Sequence, residues 1–487
     1  MNEKYNSILY KWSNCFASLW PMKYGKKGQV TYLPRLIQEE TKFPRFVRAC
    51  PATMSLIASL RLLPWEALNL APSRNWFGQY PIPPATYIAT YLVKLDQKLP
   101  SMGHLRQYLV HHPALIWALG FPLSGYAPGQ AYGFDPEASL PTRRHFGRVL
   151  RQLDNQHLQC LLDAQVSHLQ RLLPANFGQT VSLDTKHLVA WVKENNPKAY
   201  IKGKRFITTQ QPKGDPDCKV GCKRRHNRVT PAKEGQPAEG LSVSVGEFYW
   251  GYASGVVVTK VPGWGEFVLA EMTQTFDKGD TTYFFPLMTQ VERRLGFRPP
   301  YAALDAAFDA FYVYDFFHSP DHDGFAAVPF SGRGGNTLRC FDENGLPLCE
   351  AGLPMPVKFT FMDRTSNIIP HRRAHHVCPL LYPQANGQTC PINHKKWPTG
   401  GCTTRLADSP GARLRHQLDR QADAYLSVFS QRTAAERIFS QALNLGIERP
   451  KLRNQQAIAN QNTLIYLLIN LRALERVLAK LQLAVNR

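Results

Sequence analysis

The chain has 487 residues, enough for two to four domains, and 58 Lys and Arg against 36 Asp and Glu give a formal net charge of +22. An excess of that size favours a polyanionic partner, because Lys and Arg displace condensed counterions from phosphates. Hydrophobic residues make up 44% of the chain, yet no apolar run approaches the ~20 residues that span a bilayer, and the Lys-rich first thirty residues hold no secretory h-region. Ten cysteines are too sparse for a disulfide scaffold, so a reduced cytoplasmic setting with no membrane partner is expected. Cys15, Cys50 and Cys160 stand among apolar residues and read as buried core thiols.

Residues 1–178 read as a helical N-terminal region broken by proline turns. The clearest helix follows Pro141-Thr142. Thr142 caps it, Phe146, Val149, Leu150 and Leu153 form one apolar stripe, and Arg144, Arg148 and Arg151 project from the other side. That cationic face is a candidate DNA contact, with an ordinary solvated surface as the alternative.

Residues 179–330 read as the first part of an α/β core. Thr180-Val-Ser-Leu-Asp184 is a short strand that ends on a carboxylate. Residues 185–233 carry 13 Lys and Arg against three Asp and Glu and read as an extended basic excursion. Strands at 248–261 and 267–275, a helix at 281–295, a strand Tyr301-Ala-Ala-Leu-Asp305, a helix at 308–317 and a strand at 324–329 complete a β, β, β, α, β, α, β order. Such alternation implies a mixed sheet flanked by helices, with chemistry at strand ends.

Residues 331–420 interrupt the pattern as a basic Cys/His-rich insertion, and 421–487 return to helix to complete the core. Within the insertion, Cys378, Cys390, His394 and Cys402 are candidate zinc ligands, and unmetallated thiols are the alternative. On the helix at 421–443, the stripe Tyr425, Val428, Arg432, Glu436, Phe439 puts Arg432 and Glu436 on the inward face. A charge there is costly unless it pairs or meets a metal. Either the two pair as i, i+4 neighbours, or Glu436 serves a metal and Arg432 a phosphate.

Several segments resemble the DDE transposases of bacterial insertion sequences, which have an RNase H-like catalytic domain. They are Val181-Ser-Leu-Asp-Thr-Lys186, Trp250-Gly-Tyr-Ala-Ser-Gly-Val-Val-Val258, Ala303-Leu-Asp-Ala-Ala-Phe-Asp309 and Gln431-Arg-Thr-Ala-Ala-Glu-Arg-Ile-Phe-Ser440. Leu445-Gly-Ile-Glu-Arg-Pro-Lys-Leu-Arg453 and Ser139-Leu-Pro-Thr-Arg-Arg-His-Phe-Gly-Arg148 extend the similarity. The resemblance implies an endonuclease and strand-transfer enzyme of DNA transposition. Asp184, Asp305 and Glu436 would hold Mg²⁺ or Mn²⁺, and Arg432 a DNA phosphate. Asp309 lies one turn beyond Asp305, which is preferred because it directly ends the apolar strand. Leu443 stands where one branch of the family has Lys, leaving Lys451 or Arg453 for that backbone contact. Double-stranded DNA, both element ends and target, is the implied partner, bound by a homodimer at the nucleoid. A nuclease on the same fold, or a non-catalytic DNA-binding protein, is the alternative.

Overall fold

The computed structural model describes residues 34–68, 81–125, 132–225, 245–318, 324–332, 337–365 and 368–485. Cys15 and the Lys and Arg of 226–244 lie outside them. The N-terminal region is helical, as its proline-punctuated apolar stretches suggest. It holds α1 (Pro51–Leu60), α2 (Pro84–Asp96), α3 (Met102–His111), α4 (Pro113–Leu119), α5 (Arg143–Gln152) and α6 (Asn155–Leu172). Proline at the first turn of α1, α2 and α4 costs no hydrogen bond, since that N–H has no intrahelical acceptor. The Thr142 side chain accepts from the His145 N–H to cap α5, which buries Phe146 and Leu150 and leaves Arg144, Arg148 and Arg151 exposed. Among the thiols, Cys50 is only half-buried and Cys160 is exposed, because residue 160 falls on the outer side of α6.

The core is a mixed six-stranded sheet. Its strands are β1 (Thr180–Val189), β2 (Lys219–Arg225), β3 (Val245–Val261), β4 (Gly265–Thr275), β5 (Tyr301–Leu304) and β6 (Phe325–Ala327). The order is β2-β3-β1-β5-β6, and β4 pairs with the second half of β3. β3 runs antiparallel to its neighbours, whereas β1, β5 and β6 are parallel. The parallel trio needs crossovers, and α7 (Phe284–Leu295) and α8 (Phe311–Phe317) supply them.

Two sequence expectations change here. The strand begun at Thr180 runs on to Val189, and Lys219–Arg225 joins the sheet as β2, so part of the basic excursion is a packed element. The local cause is pairing: β3 is 17 residues long and offers edge positions to both segments. The segment 337–420 forms a separate three-stranded sheet of β7 (Val357–Asp363), β8 (His371–Val377) and β9 (Thr403–Ala407), followed by α9 (Pro410–Gln417).

The single helix expected over 421–443 is broken into α10 (Asp423–Phe429), a 3-10 turn at Ser430–Arg432 and α11 (Thr433–Asn444). The last helix, α12 (Gln455–Val485), packs along β4 and against α2, α5 and α6. Its buried Asn470 is matched on both amide atoms: Oδ1 accepts from Val268 N–H at 2.9 Å, and Nδ2 donates to the Val268 carbonyl at 2.9 Å. No helix among the described residues is long and apolar enough to cross a membrane.

Candidate active site

The carboxylates of Asp184 and Asp305 are placed by one register. In the parallel β1–β5 pair, Ser182 lies opposite Ala303 and Leu183 opposite Leu304. Asp184 and Asp305 are therefore the next residues on strands ~4.8 Å apart, and alternation turns both toward the face that carries Ser182 and Ala303. The other face, with Val181, Leu183, Ala302 and Leu304, belongs to the main core.

Helices α10 and α11 cover the carboxylate face. Tyr425 and Val428 of α10 pack on Ala303 and Ala327, and the Ser182 hydroxyl donates to the Arg432 carbonyl at 3.0 Å. Arg432 thus sits where its guanidinium acts on Asp184. The same guanidinium pairs with Glu436 at 2.8 Å.

Glu436 is not on the inward face that the sequence periodicity implied. Its side chain is 49% exposed, while Ala434, Ala435, Ile438 and Phe439 are buried. The 3-10 turn at Ser430–Arg432 advances the helical phase, so a stripe drawn straight from Tyr425 misses the core by about one residue.

The Asp184 carboxyl is pushed up to about 7. Burial is the main cause, and the neighbouring Asp305 and Asp280 carboxylates add to it. The Thr185 backbone N–H, which donates to Asp184 Oδ1 at 2.7 Å, and Arg432 oppose it. The Asp305 side chain also accepts from the Ala307 N–H at 2.8 Å, which fixes the turn after β5.

Asp280 escaped the sequence reading. The Thr185 hydroxyl donates to Asp280 Oδ1 at 2.6 Å, so Thr185 links two carboxylates, one through its N–H and one through its hydroxyl. Gly255, the β3 partner of Thr185, makes this approach possible. A Cβ there would lie 2.3 Å from the Tyr283 ring, at the end of the turn that begins with Asp280. The clue in the sequence was a glycine inside the strand, directly before the β-branched run Val256-Val-Val-Thr259.

Asp309 plays a different part. Its side chain is fully buried and takes a bidentate pair from Arg415, at 2.8 Å from Nε to Oδ1 and 2.7 Å from Nη2 to Oδ2. Tyr314 donates its hydroxyl at 2.9 Å and Ser331 its N–H at 2.6 Å. Burial alone would raise this carboxyl, but these donors outweigh it and hold it below its usual range. Both carboxylate oxygens of Asp309 are therefore committed to donors within the fold.

Among the described residues, no group of three or more His, Cys, Asp or Glu side chains is arranged to hold a metal ion. Within the trio Asp184, Asp305 and Glu436, Glu436 is half-exposed and pairs with Arg432. The zinc set Cys378, Cys390, His394 and Cys402 is not gathered around one point either. Cys402 contacts Cys378 and lies near Cys349, and burial first, then those thiols, push it up to about 12. His394 turns instead to Glu350 at 3.6 Å. Of the other candidate DNA contacts, Lys451 is exposed and Arg453 lies over the Trp191 ring at 4.8 Å. The preceding loop is pinned to β1, where Val189 N–H donates to the Glu448 carbonyl at 2.9 Å.

A pH effect follows from the raised Asp184 carboxyl. Folding then binds an extra proton between about pH 4, where an unfolded Asp titrates, and about 7. Stability should fall as pH rises through that window and stay low above it. Asp184→Asn is expected to flatten this slope and to stabilise the protein at pH 8 by on the order of 1–3 kcal/mol, discounted for partial exposure of the site. Urea denaturation in EDTA at pH 5 and pH 8 measures it. Equal slopes in both proteins would contradict the crowding described above.

No known protein-family profile matches the chain, and no curated protein is significantly similar to it.

Proposed function

We propose that the protein is a DNA transposase of the DDE type, with an RNase H-like core in which Asp184, Asp305 and Glu436 are the metal-binding carboxylates. The observation that carries the reading is the pair of Asp184, within β1, and Asp305, just past the end of the parallel neighbour β5, beside the segment that carries Arg432 and Glu436. A buried carboxyl lifted to about 7, first by burial and then by its acidic neighbours, is a place that favours a cation. Hard divalent ions prefer such oxygen donors, so the residues suit Mg²⁺ or Mn²⁺. When bound, such an ion supplies charge neutralisation and lowers the pKa of an attacking water.

The chain's own groups then have separable duties. Asp184 and Asp305 hold the reacting phosphate's counter-charge at a fixed spacing set by the β1–β5 register. Arg432 is placed to neutralise a backbone phosphate once its pairing with Glu436 is exchanged for one with DNA. Exposed Arg144, Arg148 and Arg151 on α5 offer sequence-independent phosphate contacts. Strand transfer by a homodimer at paired ends, in the cytoplasm at the nucleoid, belongs to the same reading.

The test is product analysis. Purified protein is incubated with duplex DNA spanning the ends of its own coding element, with Mg²⁺ or with EDTA. Metal-dependent cleavage that leaves a 3′-OH, followed by joining to target DNA, is the expected result. Cleavage without joining makes the protein a nuclease, and no cleavage with either Mg²⁺ or Mn²⁺ overturns the enzyme reading. Duplex affinity should also drop by roughly 10³-fold or more between 50 and 200 mM salt if six or more phosphates are contacted. A flat salt response would remove the DNA partner.

A further inference from the structure

In the small β7-β8-β9 sheet one face is covered along β8 and β9 but exposed along β7 at Thr360 and Met362, and the other face is open around Phe359. Ala374, His376 and Thr404 are buried on the covered side, where His376 Nδ1 meets the Met355 carbonyl at 3.1 Å. On the open side, the register sets Phe359 opposite His375 and His375 opposite Arg405, with Phe361 opposite Arg373 in the next row. Solvent-facing positions of an antiparallel sheet are ordinarily polar. Here Phe359 is 47% exposed, its ring stacks flat on His375 at 4.9 Å, and Phe361 lies 6.1 Å away. The Arg405 guanidinium stands 5.8 Å from the Phe361 ring centre. β7 is also an edge strand of this sheet.

Arg405 belongs to a second feature. A cleft of about 340 Å³ opens between this sheet and α9, lined by Arg339, Arg373, Arg405, Arg415, His371 and His416, with Asp309 as its one acid. Arg415 is committed to Asp309, and Arg373 to Asp363 at 2.8 Å. Arg339 and Arg405 have no carboxylate partner among the described residues. The cleft therefore carries uncompensated positive charge next to exposed rings.

We infer that this face and cleft bind a single-stranded segment of DNA, with unpaired bases stacked on Phe359, Phe361 and His375 and a phosphate held by Arg339 and Arg405. Rings alone would suit many apolar partners, and arginines alone any anion. Flat rings and guanidiniums in one continuous surface match a strand whose bases are exposed and whose backbone is charged. A paired duplex offers the phosphates but hides the base faces. The inference takes DNA as the polyanion from the reading above and does not depend on cleavage.

The full-length protein, in EDTA, is titrated against three labelled probes of about 15 units, within the span of single-strand sites. They are oligothymidine, an abasic deoxyribose-phosphate strand and a blunt duplex. The wild type should bind oligothymidine ~10-fold or more tighter than the abasic strand, since each stacked base contributes substantially to affinity. Phe359→Ala with Phe361→Ala should erase that preference, and Phe359→Trp should keep it. Arg339→Gln or Arg405→Gln should weaken both single strands alike and reduce the salt slope by about one. Equal wild-type binding of thymidine and abasic strands overturns the inference, as does a double Phe variant that retains the preference or full competition by the duplex. Unchanged melting of the Phe variants confirms that the altered residues were surface rings. Because no metal is present, a wild type that stacks bases but never cleaves DNA separates failure of the enzyme reading from failure of this one.

Discussion

Asp184→Asn and Asp305→Asn are each expected to reduce DNA cleavage by roughly 10³-fold or more, while duplex binding stays within a few-fold of the wild type. Divalent metal ions at such sites supply several kcal/mol of transition-state charge stabilisation, and each 1.36 kcal/mol is a factor of ten in rate. Asn keeps the volume and one oxygen of each side chain but removes the negative charge. At Asp184 that change also relieves the crowding with Asp305 and Asp280, so the inactive variant should be the more stable protein at neutral pH. Loss of activity with a gain in stability is the signature of a site strained for function, and unfolding cannot produce it. A gel assay of single-turnover cleavage beside anisotropy with the same duplex reads both quantities. Normal cleavage by either variant would take that residue out of the reaction.

Arg415→Ala is expected to destabilise the fold by about 3–5 kcal/mol, because it leaves the Asp309 carboxylate buried without its counter-charge. The loss should spread. Arg415 and Arg420 both lie over the Phe330 ring, at 4.8 and 5.6 Å, and Arg420 donates to Tyr314, which donates to Asp309. Adding Asp309→Asn to Arg415→Ala should recover part of the stability, since the orphaned charge is gone. Asp309→Asn alone should cleave DNA at a rate close to the wild type wherever it remains folded. Denaturant midpoints and cleavage rates of the three proteins decide the matter. Loss of cleavage in folded Asp309→Asn would make Asp309, not Asp305, the second catalytic carboxylate.

Much of the fold was legible because it depends on local periodicity. Short apolar and β-rich runs marked the segments that become β1, β3, β4 and β5, and the stripe Phe146, Leu150, Leu153 with its Thr142 cap marked α5. The apolar run through 463–471 announced α12. The strand end at Asp305 was visible as well, since it closes an apolar run, whereas the strand through Asp184 runs on to Val189 because β3 pairs with it that far.

Tertiary structure alone decided which carboxylates share a field. Asp305 and Asp309 are four residues apart and alike in sequence, but Arg415, 106 residues further on, claims Asp309 and leaves Asp305 beside Asp184. Asp280 enters through a hydrogen bond to a residue 95 positions away. Glu436 left the inward stripe because three residues of 3-10 turn reset the helical phase, a shift that no 3.6-residue count detects. The exposed Phe359, His375, Arg405 row exists only because three strands from a segment without clear periodicity pair in one register. Spacing along a chain sets which residues share a face of one element, and only long-range pairing sets which elements, and hence which charges and rings, meet.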